Sequence, residues 1–275
     1  RDRGEEIPTE IKDYKLKGVF GYGLKGYSTG LVVVQQKNKF GCLDVNGKIA
    51  IPLKYDDLTE FDNGYGIGKI GSNFYVVSQD GKEVLVKLDN IKEIKHFQEG
   101  LAPIVSIGGS FGFIDTNGKV VISGGYSGAG YFNNGLAWAR TTEKLVGFIN
   151  QKGEWEINPK FSVAKDFDKE SGMAMVKYEE KWVYVNQSGK IISFDISSTT
   201  KKFSEGLSEG KKGNLIGFYN NKGAWVIQPQ FEDARRFRNG FAVVKSKGLW
   251  GVIDKEGNWI MNPTFEKMKD VILIK

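Results

Sequence analysis

An aromatic residue, followed by a short polar step and a glycine, returns seven times along this chain of 275 residues. Successive aromatic residues are 34, 36, 35, 35, 36 and 34 positions apart. The seven are Tyr27, Phe61, Phe97, Phe132, Phe167, Phe203 and Phe237. A fixed period in the range of roughly 20–50 residues is typical of a repeat protein, whose units bury their apolar faces against their neighbours. The period therefore predicts a tandem array.

Each copy of the repeat is rich in β-branched and aromatic residues and predicts three short strands. In the last copy these strands span residues 241–246, 250–254 and 258–262. An Asp/Asn-x-x-Gly step, such as Asp44 to Gly47 or Asn150 to Gly153, joins the second strand to the third. Asp or Asn opens a type I turn and Gly accepts a positive φ, so this step predicts a hairpin turn. No helical periodicity is present.

The last and fourth copies share several positions in register. The last contains Trp250-Gly251 and ends in Pro263-Thr264-Phe265, and the fourth contains Val146-Gly147 and ends in Pro159-Lys160-Phe161. In these features the chain resembles the bacterial WG-repeat family, named for a Trp-Gly step, from Tyr27 onward. The resemblance implies a β-repeat fold and little about activity, because similar arrays occur in envelope, secreted and multidomain proteins.

Two copies depart from this pattern. The second has Phe74-Tyr75 and the fifth has Trp182-Val183 at the Trp-Gly step, so both lose the glycine. Both also lack the Pro-x-Phe ending. We expect local irregularity in these two copies.

The predicted fold class is all-β: a tandem array of seven units of about 35 residues, three strands each, in a β-propeller-like ring. The alternative is an open β-superhelix or solenoid. Residues 1–26 are predicted to be an N-terminal extension or partial repeat. Residues 27–275 are predicted to hold the seven repeats, with a terminal partial strand over 270–275.

Catalytic and metal-binding patterns are sparse. His96 is the only histidine and Cys42 the only cysteine, which disfavours a Ser-His-Asp arrangement, a metal site or a bound cofactor. Cys42 lies in a predicted strand and is expected to be a buried structural thiol, and His96 a surface or packing residue. Turn chemistry accounts for Asp44 and Asp115 without calcium. We therefore expect a protein that is not an enzyme.

Charge and hydropathy limit the classes of partner that the sequence predicts. The formal net charge is +6 with 39 basic and 33 acidic residues interspersed, which favours a mixed soluble surface over a nucleic-acid site. No segment approaches the roughly 20 apolar residues of a membrane helix. Residues 1–6 are charged and lack the apolar core of a signal peptide, so any signal would have been removed.

Candidate contact residues are those that break the repeat. Gly124, Gly125 and Tyr126 begin a glycine-rich stretch, residues 124–130, that replaces the Pro-x-Phe ending of the third copy. This stretch is expected to be a flexible or specialised loop, and it lacks the lysine of a phosphate-binding loop. Trp138 has no counterpart in the other copies. The basic pair Arg235 and Arg236 completes the set.

Three tryptophans share one slot, two residues after the turn glycine: Trp155, Trp225 and Trp259. Buried indoles there would favour packing and a protein-interaction scaffold, and aligned exposed indoles would favour a glycan. The sequence predicts a non-catalytic scaffold that binds other proteins, in the bacterial envelope or secreted, with a cytoplasmic location left open. The alternative is a carbohydrate or cell-wall binding module.

Overall fold

The structure, a computed structural model, describes the backbone of residues 15–16 and the whole of residues 30–194 and 203–270. The chain divides into two compact units, residues 1–162 and 163–275. All regular secondary structure in the described residues is β-strand, and these residues contain no helix. The first recurring aromatic, Tyr27, and the greater part of the partial strand predicted over 270–275 lie outside the described residues.

The first unit holds four antiparallel sheets of four strands each. Their strands in chain order are β1 (Lys15–Leu16), β2 (Leu31–Gln36), β3 (Lys39–Asp44) and β4 (Ile49–Tyr55); β5 (Asp57–Leu58), β6 (Tyr65–Ile70), β7 (Asn73–Ser78) and β8 (Glu83–Leu85); β9 (Ile91–Ile94), β10 (Ala102–Ser106), β11 (Phe111–Ile114) and β12 (Val120–Tyr126); β13 (Gly128–Ala129), β14 (Leu136–Arg140), β15 (Val146–Asn150) and β16 (Trp155–Phe161).

The second unit holds three antiparallel sheets. Their strands are β17 (Val163–Ala164), β18 (Met173–Tyr178), β19 (Lys181–Asn186) and β20 (Ile191–Ile192); β21 (Leu207–Lys212), β22 (Leu215–Asn220) and β23 (Trp225–Phe231); β24 (Asp233–Ala234), β25 (Phe241–Ser246), β26 (Leu249–Asp254) and β27 (Trp259–Phe265). The sheets are numbered first to seventh in chain order.

The prediction of an all-β tandem array of seven units is confirmed. Three main strands per unit are present, and a short first strand adds to them in six of the seven described sheets. In the second sheet this strand is β5, where Asp57 pairs with Lys69 and Leu58 with Gly68. A four-stranded antiparallel sheet is the form of a propeller blade. The choice between a closed ring and an open superhelix stays a prediction.

Hairpin turns follow the predicted chemistry. In the first sheet Gly47 has a φ of +76° and its N–H donates to Asp44 O at 3.0 Å. The Asp44 carboxylate accepts from the N–H groups of Asn46 and Lys48 at 2.8 and 2.9 Å. The Asp/Asn-x-x-Gly step is therefore a side-chain-capped turn with glycine in the left-handed region, as predicted.

The glycine of the Trp-Gly step allows two strands to approach closely. A β-carbon on Gly147 would lie 2.4 Å from the carbonyl oxygen of Ile157 and 2.7 Å from the nitrogen of Pro159. The β15–β16 pairing shifts register at this point, so the third strand bulges toward the glycine. Only glycine fits beneath this bulge.

The second and fifth sheets are irregular, as predicted. Tyr75 and Val183 replace the glycine there, and the third strands β8 and β20 have three and two residues. Both pair with the second strand without a register shift. Loss of the glycine therefore accompanies loss of the bulge and of the Pro-x-Phe ending.

Recurring aromatic residues fill the core between successive sheets. Phe132 packs edge-to-face on Phe113 at 4.9 Å, and Phe237 packs on Phe218 at 4.7 Å. Both recurring phenylalanines are fully buried. Cys42 is also fully buried, and burial raises the pKa of its thiol to about 12. The prediction of a buried structural thiol is confirmed.

The stretch 124–130 corrects one expectation. The sequence predicts a flexible or specialised loop here, but β12 continues through Gly124 and Gly125 to Tyr126, and β13 begins at Gly128. Tyr126 pairs with Phe111 just as Phe161 pairs with Val146. Glycine replaces proline without breaking the strand, because the cross-strand pairing of the repeat is retained.

Candidate functional site

A groove of about 670 Å³ lies between the second and third sheets of the first unit. The second sheet contributes Asp57, Lys69 and Phe74, and β9 with the segment after it contributes residues 92–96. Tyr131 lies between β13 and β14 of the fourth sheet. This volume lies within the roughly 300–1,000 Å³ of typical ligand pockets. A second groove of the same unit, lined by Tyr65, Ser78 and Thr116 among others, has a volume of about 460 Å³.

Cross-strand pairing places three of the groove residues in one row. Asp57 on β5 pairs with Lys69 on β6, which pairs with Phe74 on β7. Directly opposed residues of antiparallel strands project from the same face of a sheet. The Lys69 Nζ atom lies 5.4 Å from the centroid of the Phe74 ring, within cation–π range.

The same position of the repeat lines the groove in three successive copies. Glu60, His96 and Tyr131 each immediately precede a recurring phenylalanine. His96 and Tyr131 stack nearly parallel, with ring centroids 4.0 Å apart and an interplanar angle of 11°. The His96 Nδ1 atom lies 3.0 Å from Phe97 O. Because a carbonyl oxygen only accepts, Nδ1 donates this hydrogen bond, and Nε2 is the other hydrogen-bonding atom of the ring.

The interface that holds the groove lacks an aromatic residue found at its two neighbours. Between the first and second sheets Tyr55 is buried, and a β-carbon on Gly68 would lie 2.5 Å from its ring. Burial and a hydrogen bond to Glu83 raise the Tyr55 pKa. Between the third and fourth sheets Tyr126 packs edge-on against Trp155 at 5.8 Å. At the groove interface the chain supplies no aromatic from the end of the third strand.

Aliphatic side chains close the core beneath the groove instead. Leu88 and Ile91 are partly buried against the cluster that contains Phe74 and Phe97. Ile104 belongs to the same cluster and is 8% exposed. The apolar floor of the groove is therefore continuous with the core of the second and third sheets.

Charges of both signs surround the groove. Its lysines are Lys69, Lys92 and Lys95, and its acids are Asp57, Glu60 and Glu93. Lys95 lies over the Phe111 ring with its Nζ atom 5.5 Å from the centroid. A mixed rim around an apolar floor differs from the uniformly basic groove that nucleic acids require.

Contact candidates from the first unit lie on the third and fourth sheets. Trp138 is partly exposed, and a β-carbon on Gly128 would lie 3.2 Å from its ring. Tyr126 is engaged with Trp155 in the packing described above. Gly125 has a φ of +129° and its N–H donates to the Ser110 hydroxyl at 2.7 Å.

Gly124 also lies close to Ser110. A β-carbon on Gly124 would approach the Ser110 Oγ atom to 2.8 Å. Residues 124–126 end β12 of the third sheet, whereas Trp138 lies in β14 of the fourth sheet. None of them lines the groove.

The basic candidates lie in the second unit. Arg235 donates to Met268 O at 2.7 Å, and its guanidinium lies 5.0 Å from the Trp250 ring centroid. Arg236 is exposed and occupies the slot that His96 and Tyr131 occupy in the first unit. Arg235 is thus held by its own sheet, whereas Arg236 extends from the surface.

The three tryptophans of the shared slot pack edge-to-face. Trp155 packs on Tyr126, and Trp259 packs on Phe231 at 5.9 Å with an interplanar angle of 85°. Trp225 packs on Tyr219 at 5.7 Å and 89°. Trp155 and Trp225 are partly buried and Trp259 is 38% exposed. This slot is used for packing between aromatic side chains.

Neither a cluster of metal-ligating side chains nor a membrane-spanning helix occurs in the described part of the chain. Within residues 30–194 and 203–270 no group of three or more His, Cys, Asp and Glu side chains has a spacing suited to a metal ion. The same residues contain no helix of the length and apolarity needed to cross a bilayer.

Comparison with known families decides the relationship. The sequence model of a family described as WG containing repeat matches residues 40–82, 111–144, 147–182, 216–250 and 250–271. This chain belongs to the WG-repeat family. A comparison with curated protein sequences finds no match.

Several solved structures are similar at low identity. The computationally designed Ika8 protein has 14% identity, a TM-score of 0.44, and covers 84% of this chain and 83% of its own. BamB from Moraxella catarrhalis has 10% identity, a TM-score of 0.41, and coverage of 83% and 80%. A eukaryotic initiation factor has 12% identity, a TM-score of 0.48, and coverage of 87% and 74%.

Proposed function

We propose that this WG-repeat chain is a non-catalytic scaffold that binds another protein, and that the groove between its second and third sheets is a contact site. The observation that carries the proposal is the composition of the groove: an apolar floor, a stacked His96–Tyr131 wall and a rim with three lysines and three acids. Polypeptides offer apolar, aromatic and oppositely charged groups together, so this combination suits a protein surface.

Protein partners fit the groove better than the other classes considered. Nucleic acid is disfavoured because Asp57, Glu60 and Glu93 would repel phosphates. The glycan alternative relied on a ladder of open indoles, and Trp155, Trp225 and Trp259 instead pack edge-on against neighbouring rings. A repeat array also offers the extended surface that protein recognition uses.

A bacterial envelope or secreted location is part of the proposal. It follows from the setting in which similar repeat arrays occur. Fractionation of the source cells, with antibody detection of the chain in cytoplasmic, envelope and culture-medium fractions, tests it. Recovery from the cytoplasmic fraction alone would contradict the proposed location.

The binding test begins with affinity capture by the wild-type chain, followed by calorimetry with the purified partner. Tyr131→Ala should weaken binding at least about tenfold, because truncation of an aromatic contact at the centre of an interface typically costs more than about 1.4 kcal/mol. Trp182→Ala is the control, since Trp182 is an aromatic of the second unit that is 46% exposed. Trp138→Ala tests the surface predicted from the sequence.

Each outcome has a defined consequence. Loss of partner binding in Tyr131→Ala but not in Trp182→Ala supports the groove as the contact site. Loss of partner binding in Trp138→Ala alone would place the contact on the surface around residues 124–138 and would contradict the groove as the contact site. Turnover of a small substrate that one carboxylate substitution abolishes would overturn the non-enzyme proposal.

A further inference from the structure

We propose that the groove binds an extended peptide segment that pairs with the edge strand β9 and inserts an aromatic side chain between the second and third sheets. This inference rests on the proposed function and names the chemistry of its partner. Three observations carry it: the aromatic residue absent from this interface, the arrangement of rings and lysines in the groove, and the position of β9 in its sheet.

The first observation is that an aromatic ring fills each of the two interfaces on either side of the groove, within the same unit. Tyr55 enters between the first and second sheets and Tyr126 between the third and fourth, each from the end of a third strand. The second sheet ends its third strand at Leu85 and supplies no such ring. Ile104 stands where Gly68 and Ala139 stand in the neighbouring sheets, so the core itself is closed. An incoming ring would lie in the groove against Phe74 and Ile94, at the one of these three interfaces to which the third strand supplies no ring.

The second observation is the aromatic character of the walls. Phe74 forms part of one wall, and the stacked rings of His96 and Tyr131 form another. Lys69 and Lys95 already lie at cation–π distance from rings of this chain, at 5.4 and 5.5 Å. A guest ring can make edge-to-face contacts with Phe74 and cation–π contacts with these lysines. An aliphatic guest gains neither interaction.

The third observation is the strand edge beside the groove. β9 (Ile91–Ile94) is the terminal strand of the third sheet, whose order is β12-β11-β10-β9. Lys92, Glu93 and Ile94 of this strand line the groove. A terminal strand is a template for an added strand, with main-chain hydrogen bonds for affinity and side-chain pockets for specificity.

Charge complementarity predicts which residues flank the aromatic residue of the bound peptide. In an added strand, residues on either side of the aromatic side chain lie near Lys92 and Glu93, both exposed. An acidic residue on one side and a basic residue on the other would pair with them. The inferred ligand is therefore an extended segment with an aromatic residue between oppositely charged neighbours.

The probe is an acetylated and amidated pentapeptide, Val-Lys-Phe-Asp-Val, titrated into the ¹⁵N-labelled full chain and followed by NMR. Chemical-shift changes are expected at residues 57–60, 67–74 and 92–96. Replacing the central Phe of the peptide by Ala should weaken binding about tenfold. A second peptide, N-methylated on alternate backbone nitrogens, should bind as poorly as the Ala peptide, because it cannot form main-chain hydrogen bonds with β9.

Matched variants of the chain complete the test. Tyr131→Ala should reduce the affinity for the Phe peptide about tenfold, and Trp182→Ala should leave it unchanged. Equal binding of the Phe and Ala peptides, or no shift changes at the groove with millimolar peptide, would overturn the inference. The proposed function would survive that result if the captured partner still required Tyr131. Conversely, peptide binding without any partner at the groove would sustain the inference and contradict the proposed function.

Discussion

Replacing Gly147 with alanine tests why the repeat needs its Trp-Gly glycine. The added β-carbon would lie 2.4 Å from Ile157 O, 2.7 Å from Pro159 N and 2.9 Å from the Asn158 carbonyl carbon. All three are backbone atoms of the bulged strand β16, so no side-chain rotation can relieve the contact. The third strand must move away from β15 or lose its bulge.

The expected cost follows from this geometry. β-carbons essentially never approach other heavy atoms within 3.0 Å, so β16 has to shift by at least about 0.6 Å. Overpacking of this kind costs about 1–3 kcal/mol, and the absence of a flexible neighbour places Gly147→Ala near the upper end. Loss of glycine's freedom in the unfolded chain offsets about 0.4–1 kcal/mol. The net destabilisation should be about 2 kcal/mol.

Hydrogen exchange measured by mass spectrometry is the appropriate assay, because the units of a repeat array can open separately. Exchange of the β14–β16 amides should accelerate about 30-fold, the equivalent of about 2 kcal/mol. Gly108→Ala is the matched control, since its β-carbon would meet only the Ser106 hydroxyl at 3.8 Å. Equal protection of the fourth sheet in both variants would refute the steric role assigned to Gly147.

Two further predictions concern the core. Phe132→Ala and Phe237→Ala should each lower the free energy of unfolding by about 3–5 kcal/mol, because both rings are fully buried; urea denaturation midpoints that do not move would contradict this. The raised pKa of Cys42, about 12, exceeds the roughly 8.5 of an exposed thiol, so its contribution to stability is complete below about pH 8.5 and is lost as the pH rises toward 12. A Cys42→Ala variant should therefore lose less stability than wild type between about pH 9 and 11 in urea titrations, and parallel losses would contradict the assignment.

Local chemistry made the strands and turns predictable from the sequence. An Asp such as Asp44 and the glycine three residues later determine a turn through contacts that lie entirely within five residues. The short first strands could not be predicted in the same way. A two-residue strand such as Asp57–Leu58 shows no alternation, and only its pairing with β6 defines it.

The stretch 124–130 shows where composition misleads. Gly124 and Gly125 suggest a loop because glycine is rare within strands. The β11–β12 pairing nevertheless places Tyr126 opposite Phe111, the position that Phe161 holds opposite Val146 in the next sheet. Alignment of the copies at Tyr126, rather than at the missing proline, would have predicted the strand.

The groove was not predicted because its residues meet only through the fold. His96 was expected to be a surface or packing residue, and its stacking partner Tyr131 lies 35 positions later. A signal was present in the repeat itself. The phenylalanines at 61, 97 and 132 are constant, whereas the residues before them are Glu60, His96 and Tyr131. A variable slot beside a constant core slot indicates a position that packing does not determine.

The departures of the second and fifth copies from the repeat share one steric feature, the loss of the Trp-Gly glycine. The Trp-Gly glycine permits the bulge of the third strand, and the bulge directs the Pro-x-Phe ending toward the next sheet. The copies with Tyr75 and Val183 have neither bulge nor ending. The groove of the first unit lies at the interface between the second and third sheets, where the ring is absent. Loss of the glycine thus goes with an accessible groove only in the second copy, because in the fifth copy Phe194 packs on Tyr219 of the sixth sheet with ring centroids 4.8 Å apart.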